Sequence, residues 1–371
     1  MTEAYTHHQK ARDRWARLGP YLAMFPHQYA VNIVDKYTKP GDAVLDPFAG
    51  RFTSVVAAGY SGRLGVGIEI SPLGYLYGKA KLHTAQRRGD LLRRITEISR
   101  LSGRYWKKSR DMDNFFRMCY CDSVLRFLLA CKDHLNWKNS PVDATLMAQV
   151  LTSLHHGLNR GLSNQMWQVK SMAPNYSIDW WKENGFKKPP EINPAAFLSD
   201  RIKWRYRYGA PPIIHDSRAY WRDSALFLDN MPRPCNDSGK FQLLLTSPPY
   251  YNMMNYYKDQ WLRLWMLGGE PYPQENNHKH KKRFGNKTAY EDLLRSVFKK
   301  CVTMMDEKSI IVVRTGADKY TSKITQKILT ESFPLHYIKT SNCSSAPKNR
   351  TSMLNLDAPI SKDRDLILMP S

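Results

Sequence analysis

Thr246-Ser247-Pro248-Pro249-Tyr250 gathers a hydroxyl, backbone carbonyls and an aromatic face in one short stretch. It follows Phe241-Gln242-Leu243-Leu244-Leu245, an apolar run that reads as a buried strand. The two prolines end that strand, because neither donates to a ladder and both have fixed φ. Open α/β sheets bind ligands at the carboxyl ends of their strands. In such a place Ser247 and the carbonyl of Pro248 accept hydrogen bonds from an exocyclic amine, and the Tyr250 ring stacks on a planar base. These groups suit a nucleobase amine taken out of a duplex. A strand-ending turn without a ligand is the plain alternative.

A second constellation lies upstream. Asp42-Ala43-Val44-Leu45-Asp46 reads as a strand that runs into Asp46-Pro47-Phe48-Ala49-Gly50-Arg51-Phe52-Thr53-Ser54, and a helix pattern follows through Ala58. A strand, a small-residue turn and a helix let backbone approach a nucleotide-like ligand. The next apolar run, Leu64-Gly65-Val66-Gly67-Ile68, ends in Glu69. An acid at the end of a second strand commonly bonds the hydroxyls of an adenosine ribose.

At these residues the chain resembles the S-adenosylmethionine-dependent, amino-directed DNA methyltransferases. In that family a D-P-F-x-G-x-G-T turn wraps the cofactor, and an S-P-P-Y or D-P-P-Y turn holds the target amine. The Thr-Ser-Pro-Pro-Tyr form is most similar to the cytosine-N4 subgroup, although some adenine-N6 enzymes share it. The resemblance implies S-adenosylmethionine at Asp46, Pro47, Phe48, Ala49, Gly50, Thr53, Glu69 and Thr246. It implies catalysis by Ser247, Pro248, Pro249 and Tyr250. In the family an Asp that ends the strand before S-P-P-Y lies near the cofactor's adenine, and Asp216, after Pro211-Pro212-Ile213-Ile214-His215, matches it. The implied partner is double-stranded DNA with a flipped target base. Phe52 stands where the family has its second glycine. Phenylalanine does not take positive φ cheaply, so a locally different turn is expected.

The positioning elements follow from the rest of the chain. Its 371 residues suffice for a large α/β domain with an insertion. The reading is a doubly wound, Rossmann-like methyltransferase sheet over 25–80 and 211–371. A mostly helical insert occupies 81–210, and residues 1–24 form a basic amino-terminal arm. Helical spacing is read over 89–101, 115–135, 142–158, 255–265, 291–305 and 321–332, and strands at 309–314, 336–340 and 365–369. The insert has no methyltransferase landmark and is read as the target-recognition region. Its later half interleaves aromatic and basic side chains, among them Trp167, Lys170, Tyr176, Trp180 and Trp204.

Lysine and arginine outnumber aspartate and glutamate by 56 to 33, which favours a polyanionic partner through counterion release. No run is long enough to span a bilayer. The loop 270–290 carries Lys279, Lys281, Lys282 and Arg283, a patch suited to DNA phosphates. Cys119, Cys121, Cys131 and His134 fit no compact zinc spacing and read as core; scattered cysteines indicate a reduced cytoplasmic compartment. Pro234-Cys235 follows no clear strand, and amine methylation needs no covalent nucleophile.

Overall fold

The apolar runs pair into a seven-stranded sheet, seen in a computed structural model that describes residues 2–21, 25–168, 170–252, 256–274, 283, 285–316, 318–342 and 363–371. The strands are β1 (Ala43–Asp46), β2 (Leu64–Glu69), β3 (Arg218–Trp221), β4 (Phe241–Thr246), β5 (Met305–Gly316), β6 (His336–Asn342) and β7 (Asp363–Pro370). Their order is β3-β2-β1-β4-β5-β7-β6. The first five are parallel to their neighbours, and β7 runs antiparallel between β5 and β6. Central strands buried on both faces explain the uninterrupted apolar run of 243–245.

Helices cover both faces, which makes the sheet doubly wound. On one face Ala30 and Val34 of helix His27–Tyr37 meet Val44, Leu243 and Val312, together with Ala57 and Ala58 of helix Thr53–Tyr60. On the other, Leu294 and Phe298 of helix Lys287–Met304 and Ile328 of helix Lys319–Ser332 pack on Leu45, Leu244 and Ile311. Asn286 and Asp318 cap those two helices by accepting from the amides of Ala289 and Thr321.

One strand differs from the sequence reading. Residues 211–214 are irregular, and β3 begins only at Arg218, because the register Val66↔Arg218 through Glu69↔Trp221 pairs the later run with β2. Asp216 therefore precedes this strand instead of ending it.

The chain divides into two compact units. The sheet unit comprises 23–78, 214–254 and 277–371, and a helical unit comprises 1–22, 79–213 and 255–276. In the helical unit Ser140 and Asn193 cap helices Pro141–Ser153 and Pro194–Arg205, each with proline at its first position. The helix read over 115–135 is broken at Tyr120, which is extended, into Asn114–Cys119 and Asp122–His134. In place of the helix read over 255–265, the described residues form two short helices, Tyr256–Asp259 and Trp261–Met266. The amino-terminal segment is a helix, Thr2–Ala16, fixed to this unit. Trp15 is fully buried edge-on to Tyr206, and Arg205 donates to the carbonyl of Arg14 at 2.7 Å. Among the described residues no helix is long and apolar enough to cross a membrane.

Candidate active site

β1 and β4 are parallel neighbours, so Asp46 and Thr246 end side by side. Thr246 Oγ1 donates to Asp46 Oδ1 at 2.6 Å. The same carboxylate accepts from the amide of Phe48 at 3.1 Å and from the Ser54 hydroxyl. Its burial pushes the Asp46 carboxyl up to about 6, against the lowering effect of those three donors. Asp46 and Thr246 thus lock the cofactor turn to the amine turn.

The turn closes tightly. Ala49 donates its amide to Ile68 at 3.0 Å, and Phe52 donates to the carbonyl of Ala49 at 2.6 Å. Gly50 (φ 52°) and Phe52 (φ 64°, ψ 36°) are both left-handed. The turn therefore keeps a left-handed residue where the family has glycine, contrary to the expectation that phenylalanine would force a different path. Its ring shows the reason. Phe52 is fully buried, and a Cβ on Gly78 would stand 2.3 Å from it and one on Gly67 2.8 Å. Two distant glycines leave room for the ring. Burial of about 1.5–3 kcal/mol offsets the roughly 1–2 kcal/mol of the left-handed backbone.

Glu69, nearly buried at the end of β2, accepts from the amide of Gly50 at 2.8 Å and from that of Ser71 at 2.7 Å. It holds the turn against the next helix, Pro72–Leu82. That helix lies so close that a Cβ on Gly74 would be 2.3 Å from the carbonyl of Gly50. Each carboxylate oxygen can accept a second hydrogen bond. Pro47 accepts from Ser224 through its carbonyl, and Phe48 packs edge-on to Phe298. Both support the turn from behind.

Asp223, which sequence reading passed over, follows β3 and caps the next short helix by accepting from the amide of Ala225. Asp223, and not Asp216, thus follows the carboxyl end of this strand. Asp216 itself lines a cavity of about 770 Å³ with Gly41, Arg218 and Asp306, at the opposite, amino-terminal end of the strands. Trp221-Arg222-Asp223-Ser224 carried the signal, an acid directly after an aromatic run. Arg283, expected at DNA phosphates, is ion-paired with Asp223. Lys279, Lys281 and Lys282 lie outside the described residues.

In the amine turn Ser247 is half-buried, and its hydroxyl makes no hydrogen bond among the described residues. Pro248 is buried and Pro249 half-buried. Tyr250 is only 5% exposed. Its hydroxyl donates to Asp363 at 3.3 Å, and its ring lies against Gly316, where a Cβ would approach to 3.3 Å. In this conformation the ring offers no open face to a base, so the stacking assigned to it is not met here. Beside it, Arg314 donates twice to Asp365, at 2.7 and 2.9 Å, and its guanidinium lies 3.6 Å from the Tyr29 ring centroid. Burial raises the Asp363 carboxyl, while Arg314 and the Tyr250 hydroxyl oppose it. Asp363 and Arg314 carried no motif and were invisible from sequence.

The residues present fit S-adenosylmethionine. A left-handed backbone turn lies under a close-packed helix, a carboxylate ends β2, and a second one follows β3. Comparison with known proteins agrees. Residues 2–75 match the model of a DNA methylase family, N6_N4_Mtase, a span that includes the turn and Glu69 and ends before the amine turn. No curated protein matches the chain in sequence. Solved structures align at low similarity. TrmN from Thermus thermophilus is 8% identical, with 93% of this chain and 48% of that one covered and a TM-score of 0.32. An S-adenosylmethionine-dependent methyltransferase from Agrobacterium tumefaciens is 10% identical, with 94% and 63% covered and a TM-score of 0.36. The rRNA methyltransferase aviRa from Streptomyces viridochromogenes is 11% identical, with 95% and 87% covered and a TM-score of 0.33. The chain spans about half the length of the first and under two thirds of the second. Likenesses this distant carry no argument, and the fold rests on the strand order itself. Residues 2–75, with the turn and Glu69 that they contain, are thus similar to the N6_N4_Mtase DNA methylase family, and the cofactor is S-adenosylmethionine.

Proposed function

We propose that the protein is a site-specific DNA methyltransferase that methylates the exocyclic amine of a flipped base, cytosine N4. One observation carries the reading: the Ser-Pro-Pro-Tyr turn is bonded directly to the cofactor turn, through Thr246 and Asp46 at 2.6 Å. A methyl donor and an amine acceptor are thereby held by adjacent strand ends.

S-adenosylmethionine, when bound, supplies an electrophilic methyl group on a sulfonium. Gly50 and its turn would pass along the cofactor, Glu69 would take the ribose hydroxyls, and Asp223 would stand at the adenine. The amine of cytosine is a poor nucleophile, because its lone pair is delocalised into the ring. Ser247 Oγ and the Pro248 carbonyl accept its two N–H bonds and favour a pyramidal nitrogen with its lone pair aimed at the methyl. Positive charge develops on that nitrogen during transfer, and the same two acceptors stabilise it. The methylated nitrogen is acidic and gives its proton to solvent water. Tyr250, tied to Asp363, holds the second half of the turn in place. Lys279, Lys281 and Lys282 would neutralise phosphates without reading sequence, while Arg283 is held by Asp223, and the helical unit would read flanking bases.

Adenine N6 is the second reading, since the matching family is named for both amines. The test is incubation of the protein with duplex DNA and methyl-labelled S-adenosylmethionine, followed by digestion and chromatography of the nucleosides. Label in N4-methylcytosine is the expected result. Label in N6-methyladenine transfers the assignment to the second reading. Label in RNA alone, or none with cofactor bound, refutes DNA methylation.

A further inference from the structure

The helical unit contains a pocket of about 250 Å³, lined entirely by its own residues. Trp167, Tyr176 and Trp261 form aromatic walls, Met172 and Pro273 add apolar surface, and Lys170 and Lys258 stand at the lining. Trp261 is buried, whereas Trp167 and Tyr176 are 51% and 60% exposed. Trp167 and Tyr176 thus keep ring surface open at a concave site, where a ligand can cover it.

The segment that presents Trp167 is fixed from behind by buried polar side chains. Arg263 is fully buried and donates to the carbonyls of Gln168 and Leu151 and to Gln260 Oε1. His155 is also fully buried, and its Nδ1 meets the carbonyl of Trp167. A carbonyl only accepts, so Nδ1 carries the proton. Burial lowers the His155 pKa, so the ring is neutral and Nε2 accepts from the Ser171 hydroxyl at 3.2 Å. Trp261 Nε1 donates to the carbonyl of Met172 at 3.1 Å, and Ser171 donates its amide to the carbonyl of Asp259 at 2.7 Å. Lys170 is paired with Asp259 at 2.9 Å. A buried arginine carries a large desolvation penalty. Here it fixes a surface loop whose outward side chain is a tryptophan, a preorganised stacking platform.

We infer that this pocket holds one unstacked base of the nucleic-acid substrate, apart from the base whose amine enters the Ser247–Tyr250 turn. Aromatic walls suit a base because every base has a π-face, and Lys258 suits its phosphate, while Lys170 is held by Asp259, which also lines the pocket. The excess of 56 basic over 33 acidic residues favours a polyanion over an uncharged aromatic ligand. The inference rests on the DNA reading proposed above.

The test uses the full chain and a duplex carrying 5-iododeoxyuridine at successive positions. Binding is followed by fluorescence anisotropy across a salt series, photocrosslinks are mapped by mass spectrometry, and S-adenosylmethionine binding is measured by calorimetry. Trp167→Ala should weaken DNA binding about tenfold or more, with the salt slope unchanged, because stacking and no ionic contact is lost. Trp167→Phe should retain most of the affinity, and Tyr176→Ala should repeat the loss. A crosslink to Trp167 or Tyr176 is expected from a base outside the methylated position. Unchanged affinity in both alanine variants without a crosslink overturns the pocket and leaves the DNA reading standing. Wild-type protein that binds S-adenosylmethionine but no DNA overturns the DNA reading itself. A preference for single-stranded RNA of the same sequence overturns the choice of nucleic acid.

Discussion

Phe52→Gly restores the residue of the resembling family and should nevertheless destabilise this protein. The Phe52 side chain is fully buried, and removing such a ring costs about 3–5 kcal/mol. Its backbone is left-handed at φ 64°, which glycine adopts without the roughly 1–2 kcal/mol paid by other residues. The expected net loss is about 1–4 kcal/mol for Phe52→Gly. Phe52→Ala loses the same ring and keeps the strain, so it should be less stable than Phe52→Gly by about 1 kcal/mol. That order is the reverse of the one in a helix interior. A double-mutant cycle with Gly78 sharpens the test. A Cβ on Gly78 would stand 2.3, 2.5 and 2.9 Å from three Phe52 ring atoms, its three nearest neighbours. Gly78→Ala should therefore destabilise the wild type and be tolerated, or stabilise by up to about 1 kcal/mol, in the Phe52→Gly background. Equilibrium urea unfolding gives the differences, and hydrogen exchange over 43–69 assigns them to the sheet unit. If Phe52→Ala matches or exceeds Phe52→Gly in stability, the left-handed assignment is wrong. If the two sites behave additively, the ring does not occupy the space above Gly78.

Other consequences concern the polar groups of the site. Asp46 titrates at about 6 folded against 3.8 unfolded, so the folded protein binds the extra proton between those values. Stability should then fall by about 3 kcal/mol as pH rises from 4 to 6 and level off above. Asp46→Asn should flatten that fall in urea melts; an unchanged pH profile would remove Asp46 as its source. Glu69→Ala should weaken S-adenosylmethionine binding by about 1.5–3 kcal/mol in calorimetry, and unaltered affinity in a folded variant would exclude Glu69 from the cofactor site. Ser247→Ala should lower kcat while the cofactor Kd stays the same, because its acceptor serves charge that develops only during transfer. Full turnover by that variant refutes the role of the hydroxyl. Tyr250→Phe removes the hydroxyl that bonds Asp363 and should cost about 1 kcal/mol of stability, readable as a shift in Tm.

The sequence by itself determined the parts of the site whose chemistry is local. Asp46-Pro47-Phe48-Ala49-Gly50 follows one strand, Ser247-Pro248-Pro249-Tyr250 follows another, and Glu69 ends a third. Proline and glycine act on their own backbone, so such turns are legible within a few residues. The doubly wound sheet and the cofactor were readable from the same stretches. What the sequence left open depended on partners far along the chain. Two runs each led to an acid followed by serine, His215-Asp216-Ser217 and Arg222-Asp223-Ser224, and only the register with β2 chose the second. Phe52 reads as an obstacle until Gly67 and Gly78 are folded around its ring. Tyr250 reads as an open platform until Gly316 and Asp363 are brought against it from the far strands. The amino-terminal segment reads as an arm until Trp15 meets Tyr206, almost two hundred residues away. Side-chain burial and strand register are set by packing between distant segments. Local spacing proposes such contacts, and the tertiary structure decides them.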